Sequence, residues 1–145
     1  MFRNEGVDTR HNPEFTLISE SILIFDQHRL FSTDFAERLQ TLRRLDPERK
    51  VAVEVADVEE GVRAADLGAD ILQCDKMSPE DVGSLVARAK ASHSGLIVSA
   101  AGGVNAGNAA DYARAGADFL VTSWPYFGRP HDVKMRMSAS CDALP

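Results

Sequence analysis

Leu67-Gly68-Ala69-Asp70-Ile71-Leu72 returns further along the chain as Ala115-Gly116-Ala117-Asp118-Phe119-Leu120. In each copy a glycine follows a helix-period segment and an apolar run begins three residues later. Glycine suits that point because the left-handed backbone that closes many helices costs nothing without a Cβ. One αβ loop used twice predicts a repeated βα architecture, either a barrel or an open doubly wound sheet. Outward from the repeat, five short apolar runs read as strands: Ile22 to Phe25, Val51 to Val55, Ile71 to Cys74, Leu96 to Ala100 and Phe119 to Val121. Continuous rather than alternating hydrophobicity is expected of parallel strands covered on both faces. Helices are predicted between them: Phe35 to Leu45 after Thr33-Asp34, Val58 to Leu67 after Asp57, and Val82 to Lys90 after Ser78-Pro79-Glu80-Asp81. A last one runs from Ala109 to Ala115 after Asn105 or Asn108. The Ser78 start is the clearest. It has a capping hydroxyl, proline at the first helical position and two acids where the helix dipole favours them.

Length limits what these units can build. A closed (β/α)8 barrel takes roughly 250 residues, and this chain has 145. The expected fold class is therefore α/β over residues 21–137: a partial (β/α) barrel of about five parallel strands completed by another copy, a fragment of a longer parent, or an open five-stranded sheet. Residues 1–20 read as an irregular arm and 138–145 as a loose Ser/Ala-rich tail. The charge balance, 16 Lys+Arg against 22 Asp+Glu, with no basic cluster, argues against nucleic acid and against acidic membranes. No apolar run is long enough to span a bilayer, and Arg3, Glu5, Asp8 and Arg10 leave no secretory signal. A cytoplasmic location is expected. Cys74 and Cys141 have no ligand-spaced partners and read as reduced, structural thiols. Uncovered strand edges predict a homo-oligomer.

In parallel α/β folds the chemistry collects at the carboxyl ends of the strands. Standing there are Asp26, Glu54, Asp75 with Lys76, Ala101-Gly102-Gly103, and Thr122-Ser123. Glu54 interrupts an apolar strand and Asp75 directly ends another, so both need a cationic partner. Two partners fit: a hard divalent ion such as Mg²⁺ shared with a ligand phosphate, or a salt bridge, for which Lys76 is the local candidate. The Gly102-Gly103 pair allows close backbone approach to an anion, and Thr122-Ser123 holds the equivalent place one strand later. Together they read as a phosphate site. His28 reads mainly as a surface residue, His93 and His131 have no evident partners, and Trp124 to Phe127 reads as a packing or interface segment.

With these residues in place, the chain resembles the C-terminal barrel of the nicotinate-nucleotide pyrophosphorylase (quinolinate phosphoribosyltransferase) family. Its nearest likeness there is to the pyrophosphorylase-like branch associated with molybdenum transport. The segments that carry it are Leu23 to Arg29, Val53-Glu54, Leu72 to Pro79, Ala101 to Asn105, and Val121 to Ser123 through Lys134. The resemblance implies a parent with an N-terminal α/β sandwich, missing here, that closes a partner subunit's site. It implies Mg²⁺ and phosphoribosyl pyrophosphate near Glu54 and Asp75, with the 5′-phosphate at Gly102-Gly103 and Thr122-Ser123. Where quinolinate-using members carry a His-Arg pair and a Lys, this chain has Glu14-Phe15 and Phe25. A dicarboxylate would meet acid and aromatic surface there, so quinolinate is not the expected substrate.

The expected function is a phosphoribosyltransferase-type or pyrophosphorylase-like protein that binds Mg-phosphoribosyl pyrophosphate or a related ribose phosphate. Glu54 and Asp75 are its catalytic and metal residues, and Lys76, Ala101, Gly102, Gly103, Thr122 and Ser123 its binding residues. The alternative is a non-catalytic binding or assembly subunit that keeps the barrel fold.

Overall fold

The computed structural model describes residues 21–29, 34–129 and 133–135, apart from the side chains of Asp26 and Arg29. The readings of 1–20 as an arm and 138–145 as a tail, and those of Cys141 and His131, lie outside the described residues. Among the described residues five strands, β1 (Ile22–Ile24), β2 (Val51–Val55), β3 (Ile71–Asp75), β4 (Ile97–Ala101) and β5 (Phe119–Leu120), alternate with helices. The helices are α1 (Asp26–Arg29), α2 (Phe35–Leu45), α3 (Val58–Asp66), α4 (Pro79–Ser92), α5 (Ala109–Arg114) and α6 (Trp124–Phe127). All strand pairs are parallel and the order is β1-β2-β3-β4-β5. A doubly wound sheet reverses its order at a switch point. This sheet has none, so the βα units form an arc of a barrel. No helix among the described residues is long and apolar enough to cross a membrane.

Strand alternation divides the sheet into two faces. Val51, Val53, Val55, Leu72, Cys74, Val98 and Ala100 join one core cluster with Leu39, Ala64, Ala65, Val82, Leu85, Ala89 and Tyr112 from the helices. Complete burial of a Val or Leu side chain stabilises by about 1.5–3 kcal/mol, so this face carries most of the fold's cohesion. Gly61 of α3 sits where an added Cβ would lie 2.6 Å from Leu85 Cδ1, which lets α3 and α4 approach closely. The second face carries Ala52 and Glu54, then Ile71, Gln73 and Asp75, then Ile97, Ser99 and Ala101.

The expected helix starts are present. Asp34, Asp57 and Ser78 each accept from the backbone N–H three residues on, at 3.0, 2.8 and 3.1 Å, a cap worth about 1 kcal/mol. Gly68 and Gly116 have φ of 96° and 93°, the left-handed closure expected of the repeat. The repeated aspartates do more. Asp70 accepts from the Val51 N–H at 2.9 Å and Asp118 from the Val98 N–H at 2.7 Å. Each carboxylate thus holds an amide of the strand before its own. Each also pairs with a cation of an earlier helix: Arg43 of α2 for Asp70, Lys90 of α4 for Asp118.

Candidate functional site

Register decides whether the two strand-end acids share a face. Glu54 stands opposite Gln73, and Asp75 lies two residues beyond Gln73, on the same face and roughly 7 Å further along the strand. Gln73 in turn stands opposite Ser99, and Asp75 opposite Ala101. Glu54, Asp75 and the end of β4 therefore occupy one rim of the inner face. Both acids are half-buried. Cys74, between them in sequence, points to the helix face, where burial pushes its thiol up to about 12.

Lys76 gathers this corner together. Its Nζ lies 2.5 Å from Asp75 Oδ2, and its pKa is raised by that hydrogen bond first, by the Asp75 charge next, and also by the charge of Glu54. The salt bridge considered for Asp75 is thus formed. Lys76 has φ of 58°, alone among the described non-glycine residues in being positive. That turn lets its backbone N–H donate to the Ala101 carbonyl at 2.9 Å, locking the β3 end to the β4 end. Gly102 follows, with φ of 76°, and a Cβ there would lie 2.6 Å from both Asp75 Oδ1 and Lys76 Cγ. The Lys76 chain lies across this glycine with its ammonium on the carboxylate.

The Gly-Gly loop is held from its far side. Asn105 Nδ2 and Asn108 Nδ2 both donate to the Gly103 carbonyl, at 2.9 and 3.1 Å, and Asn108 Oδ1 accepts from the Asn105 N–H at 2.8 Å. Asn108 stands at the N-cap of α5 but makes no side-chain cap bond, because its amide group is engaged with the loop. The sequence suggests helix capping for these asparagines; their work is to fix Gly103. An added Cβ on Gly103, at φ of 85°, would meet nothing within 4 Å, so this turn faces open space.

Thr122 is placed beside that loop, with its hydroxyl turned inward. It donates to the Val104 carbonyl at 2.5 Å and accepts from the Trp124 N–H at 3.0 Å. Its oxygen joins the β4 and β5 loops. Ser123 is exposed, and its hydroxyl caps none of the α6 amides. Behind the corner, Tyr112 Oη donates to the Met77 carbonyl at 2.9 Å, a buried bond that ties α5 to the residue after Lys76.

His28 is exposed, and its Nδ1 accepts from the Phe25 N–H at 3.1 Å. That contact turns the chain out of β1 one residue before the expected end. His93 finds Asp66 at 3.0 Å, joining the ends of α3 and α4 away from the rim. Trp124, Tyr126 and Phe127 form exposed turns of α6. Among the described residues, one surface hollow of about 460 Å³ lies along Glu37, Thr41 and Leu45, and one of about 360 Å³ lies beside Ala56, Asp57 and Asp81, just past the end of β2. No group of three or more His, Cys, Asp or Glu able to hold a metal occurs among the described residues. Glu54 and Asp75 offer an all-oxygen pair, which suits a hard ion whose remaining ligands are water and a bound phosphate.

Residues 6–136 match the family described as quinolinate phosphoribosyl transferase, C-terminal domain. ModD of Rhodobacter capsulatus, which bears the name of a pyrophosphorylase, is 45% identical over 106 residues, covering 72% of this chain and 40% of its own length. ModD of Escherichia coli O157:H7 is 33% identical over 124 residues, covering 82% of this chain and 43% of its own. The solved nicotinate-nucleotide pyrophosphorylase of Francisella tularensis superposes with a TM-score of 0.62 at 25% identity, over 70% of this chain and 35% of that one. The enzyme of that name from Ehrlichia chaffeensis, at 21% identity and a TM-score of 0.60 over 70% of this chain and 36% of that one, shares the fold. The chain spans about two fifths of the length of the curated relatives it matches.

Proposed function

Because the chain belongs to the quinolinate phosphoribosyl transferase C-terminal domain family, and lies close to ModD within it, we propose that it is the ribose-phosphate-binding barrel part of a cytoplasmic, ModD-type phosphoribosyltransferase. The ligand is phosphoribosyl pyrophosphate or a related ribose phosphate, taken with Mg²⁺, and the chain works as a homo-oligomer. One observation carries this reading. Two half-buried carboxylates share the inner-face rim, and a glycine turn open to solvent abuts one of them.

In this arrangement the glycine turn is the part of the rim that an anionic 5′-phosphate can approach closely, since no Cβ stands between it and the backbone. The Asn105 and Asn108 clamps hold that turn in shape before a ligand arrives. Glu54 and Asp75 face the sugar and stabilise positive charge that develops at its anomeric carbon as the bond to pyrophosphate lengthens. When bound, Mg²⁺ supplies neutralisation of the leaving pyrophosphate. Thr122 contributes by holding the two loops together, its hydroxyl being committed to Val104 and Trp124. A second substrate other than quinolinate is the expected one, a reading supported by the partly exposed Phe25 after β1, where a dicarboxylate needs a cation.

A second reading, a non-catalytic binding or assembly subunit that keeps the fold, is favoured by how fully the rim satisfies itself. Asp75 is paired with Lys76, and Thr122 with its own loops. Calorimetric titration of the full chain with phosphoribosyl pyrophosphate, with and without Mg²⁺, separates the two. Metal-enhanced binding in the wild type that is lost in Glu54→Gln supports the first reading. A folded wild type that binds no ribose phosphate overturns it.

A further inference from the structure

Asp75 stands where the proposed reading puts a metal-facing acid, yet its carboxylate already carries a cation. Lys76 Nζ stands 2.5 Å from Asp75 Oδ2. The neighbouring residue is poorly placed to do this by accident, because adjacent side chains on an extended chain point to opposite faces. What brings the ammonium back to the Asp75 side is the left-handed turn at Lys76, φ 58°, a conformation uncommon for a long side chain. Two further features accommodate it. The Lys76 N–H is anchored on the Ala101 carbonyl at 2.9 Å. Gly102 leaves the space over which the Lys76 methylenes pass, since a Cβ there would lie 2.6 Å from Lys76 Cγ.

We propose that Lys76 is a tethered counter-cation that holds the place of a divalent ion on Asp75, and so sets the site's choice between metal alone and metal carried in by a polyphosphate. The inference rests on the proposed reading of Glu54 and Asp75 as the metal-facing pair. Without ligand, the Lys76 ammonium sits on the Asp75 carboxylate, and a divalent ion arriving at that carboxylate must displace the ammonium or sit beside it. A ligand bearing phosphates changes the balance, because its oxygens offer the exposed Lys76 head a second acceptor and the ion further ligands. Lys76 is thus a specificity-determining residue. It disfavours free metal and favours the metal–polyphosphate pair.

The test is Mn²⁺ binding to the full chain without other ligand, followed by water-proton relaxation, in wild type, Lys76→Asn, Lys76→Arg and Lys90→Asn. Asparagine tolerates the left-handed conformation, so Lys76→Asn retains the turn while removing the charge. Removing a unit charge within a few ångströms of a solvated divalent ion is expected to tighten Mn²⁺ binding by about tenfold or more. Lys76→Arg should stay close to wild type, as should Lys90→Asn, whose ion pair with Asp118 is remote from the rim. The gain should vanish in Lys76→Asn combined with Glu54→Gln. Equal Mn²⁺ affinity in wild type and Lys76→Asn, or no measurable binding by folded Lys76→Asn, overturns the proposal. Phosphoribosyl pyrophosphate binding by the wild type is scored separately. If it persists while Mn²⁺ affinity is unmoved by Lys76→Asn, only the counter-cation role fails. If it is absent while Lys76→Asn gains Mn²⁺, the ribose-phosphate reading fails instead.

Discussion

Three glycine-to-alanine substitutions measure the rim directly, because they add the same methyl group in three different settings. Gly95 lies in open space, with nothing within 4 Å of an added Cβ, and its φ is outside the left-handed region. Gly95→Ala should change stability little or raise it by about 0.5 kcal/mol, through the smaller entropy of the unfolded chain. Gly103 is also unobstructed, but its φ is 85°. A left-handed L-residue costs roughly 1–2 kcal/mol, so after the same entropic gain Gly103→Ala should lose about 1 kcal/mol. Gly102 combines a φ of 76° with contacts at 2.6 Å to Asp75 Oδ1 and Lys76 Cγ and 2.9 Å to the Lys76 backbone N. The side chains can rotate away. The backbone nitrogen is held by its bond to Ala101, so an overpacking cost of about 1–3 kcal/mol is added. The expected loss is about 2–4 kcal/mol, summing strain and overpacking. Urea unfolding reads the series: with a slope of about 2 kcal/mol/M, Gly102→Ala should unfold about 0.5–1.5 M earlier than Gly103→Ala at an unchanged slope. If the two midpoints coincide, Asp75 and Lys76 do not lie against this turn, and the reasoning that joins the carboxylate to the glycine loop is refuted.

Cys74 predicts an alkaline limit. Burial raises its thiol from 9.0 to about 12, so between those values the unfolded chain has lost a proton that the native chain retains. Stability there should fall with rising pH by up to roughly 1.4 kcal/mol per unit, and Cys74→Ala should flatten that dependence of the urea midpoint; a slope equal to wild type would contradict it. The repeated aspartates give a paired test. Asp118→Ala and Asp70→Ala should each cost about 1–3 kcal/mol by leaving a strand amide without its acceptor, while Asp118→Asn and Asp70→Asn keep an acceptor and lose only a surface ion pair of about 0–1 kcal/mol. Thermal or urea unfolding that ranks Asn with Ala would assign the effect to charge instead.

The fold was legible because each level of the sequence pointed the same way. Apolar runs placed all five strands to within a residue or so, Asp34, Asp57 and Ser78 marked helix starts, and the Gly68 and Gly116 loops carried the repeat. What the runs leave open is whether the barrel or the doubly wound order is used, since that is a property of strand neighbours and not of strands. The short helices Asp26–Arg29 and Trp124–Phe127 are too brief for a period to show. At the rim, residue type located Glu54, Asp75 and the glycines, but it could not give side-chain direction. Thr122 looked like a phosphate ligand by position, and its hydroxyl is turned to Val104. Asn105 and Asn108 looked like helix caps, and they clamp Gly103. A signal for the latter was present in retrospect: two asparagines close behind a Gly-Gly pair supply more side-chain amide groups than one helix start needs. Nothing in the sequence marked Lys76 as left-handed or brought His93 to Asp66, because both follow from tertiary positions.

The rim is built from backbone carbonyls that other parts of the rim hold. Ala101 is held by the Lys76 amide, Met77 by Tyr112, Gly103 by two asparagines and Val104 by Thr122. These bonds join the ends of β3, β4 and β5 into one frame, so a ligand of the proposed kind would order little backbone there and lose little affinity to that cost. Set in this frame, Lys76 contributes a solvent-exposed side chain whose ammonium rests on Asp75, and under the proposed reading a bound phosphate would offer it a second acceptor. Under the proposed reading, a fixed cradle with one tethered charge would exchange counter-ions without moving the fold. That is why removing the charge at residue 76 should change what the rim binds, while adding a methyl at residue 102 should change whether the rim forms.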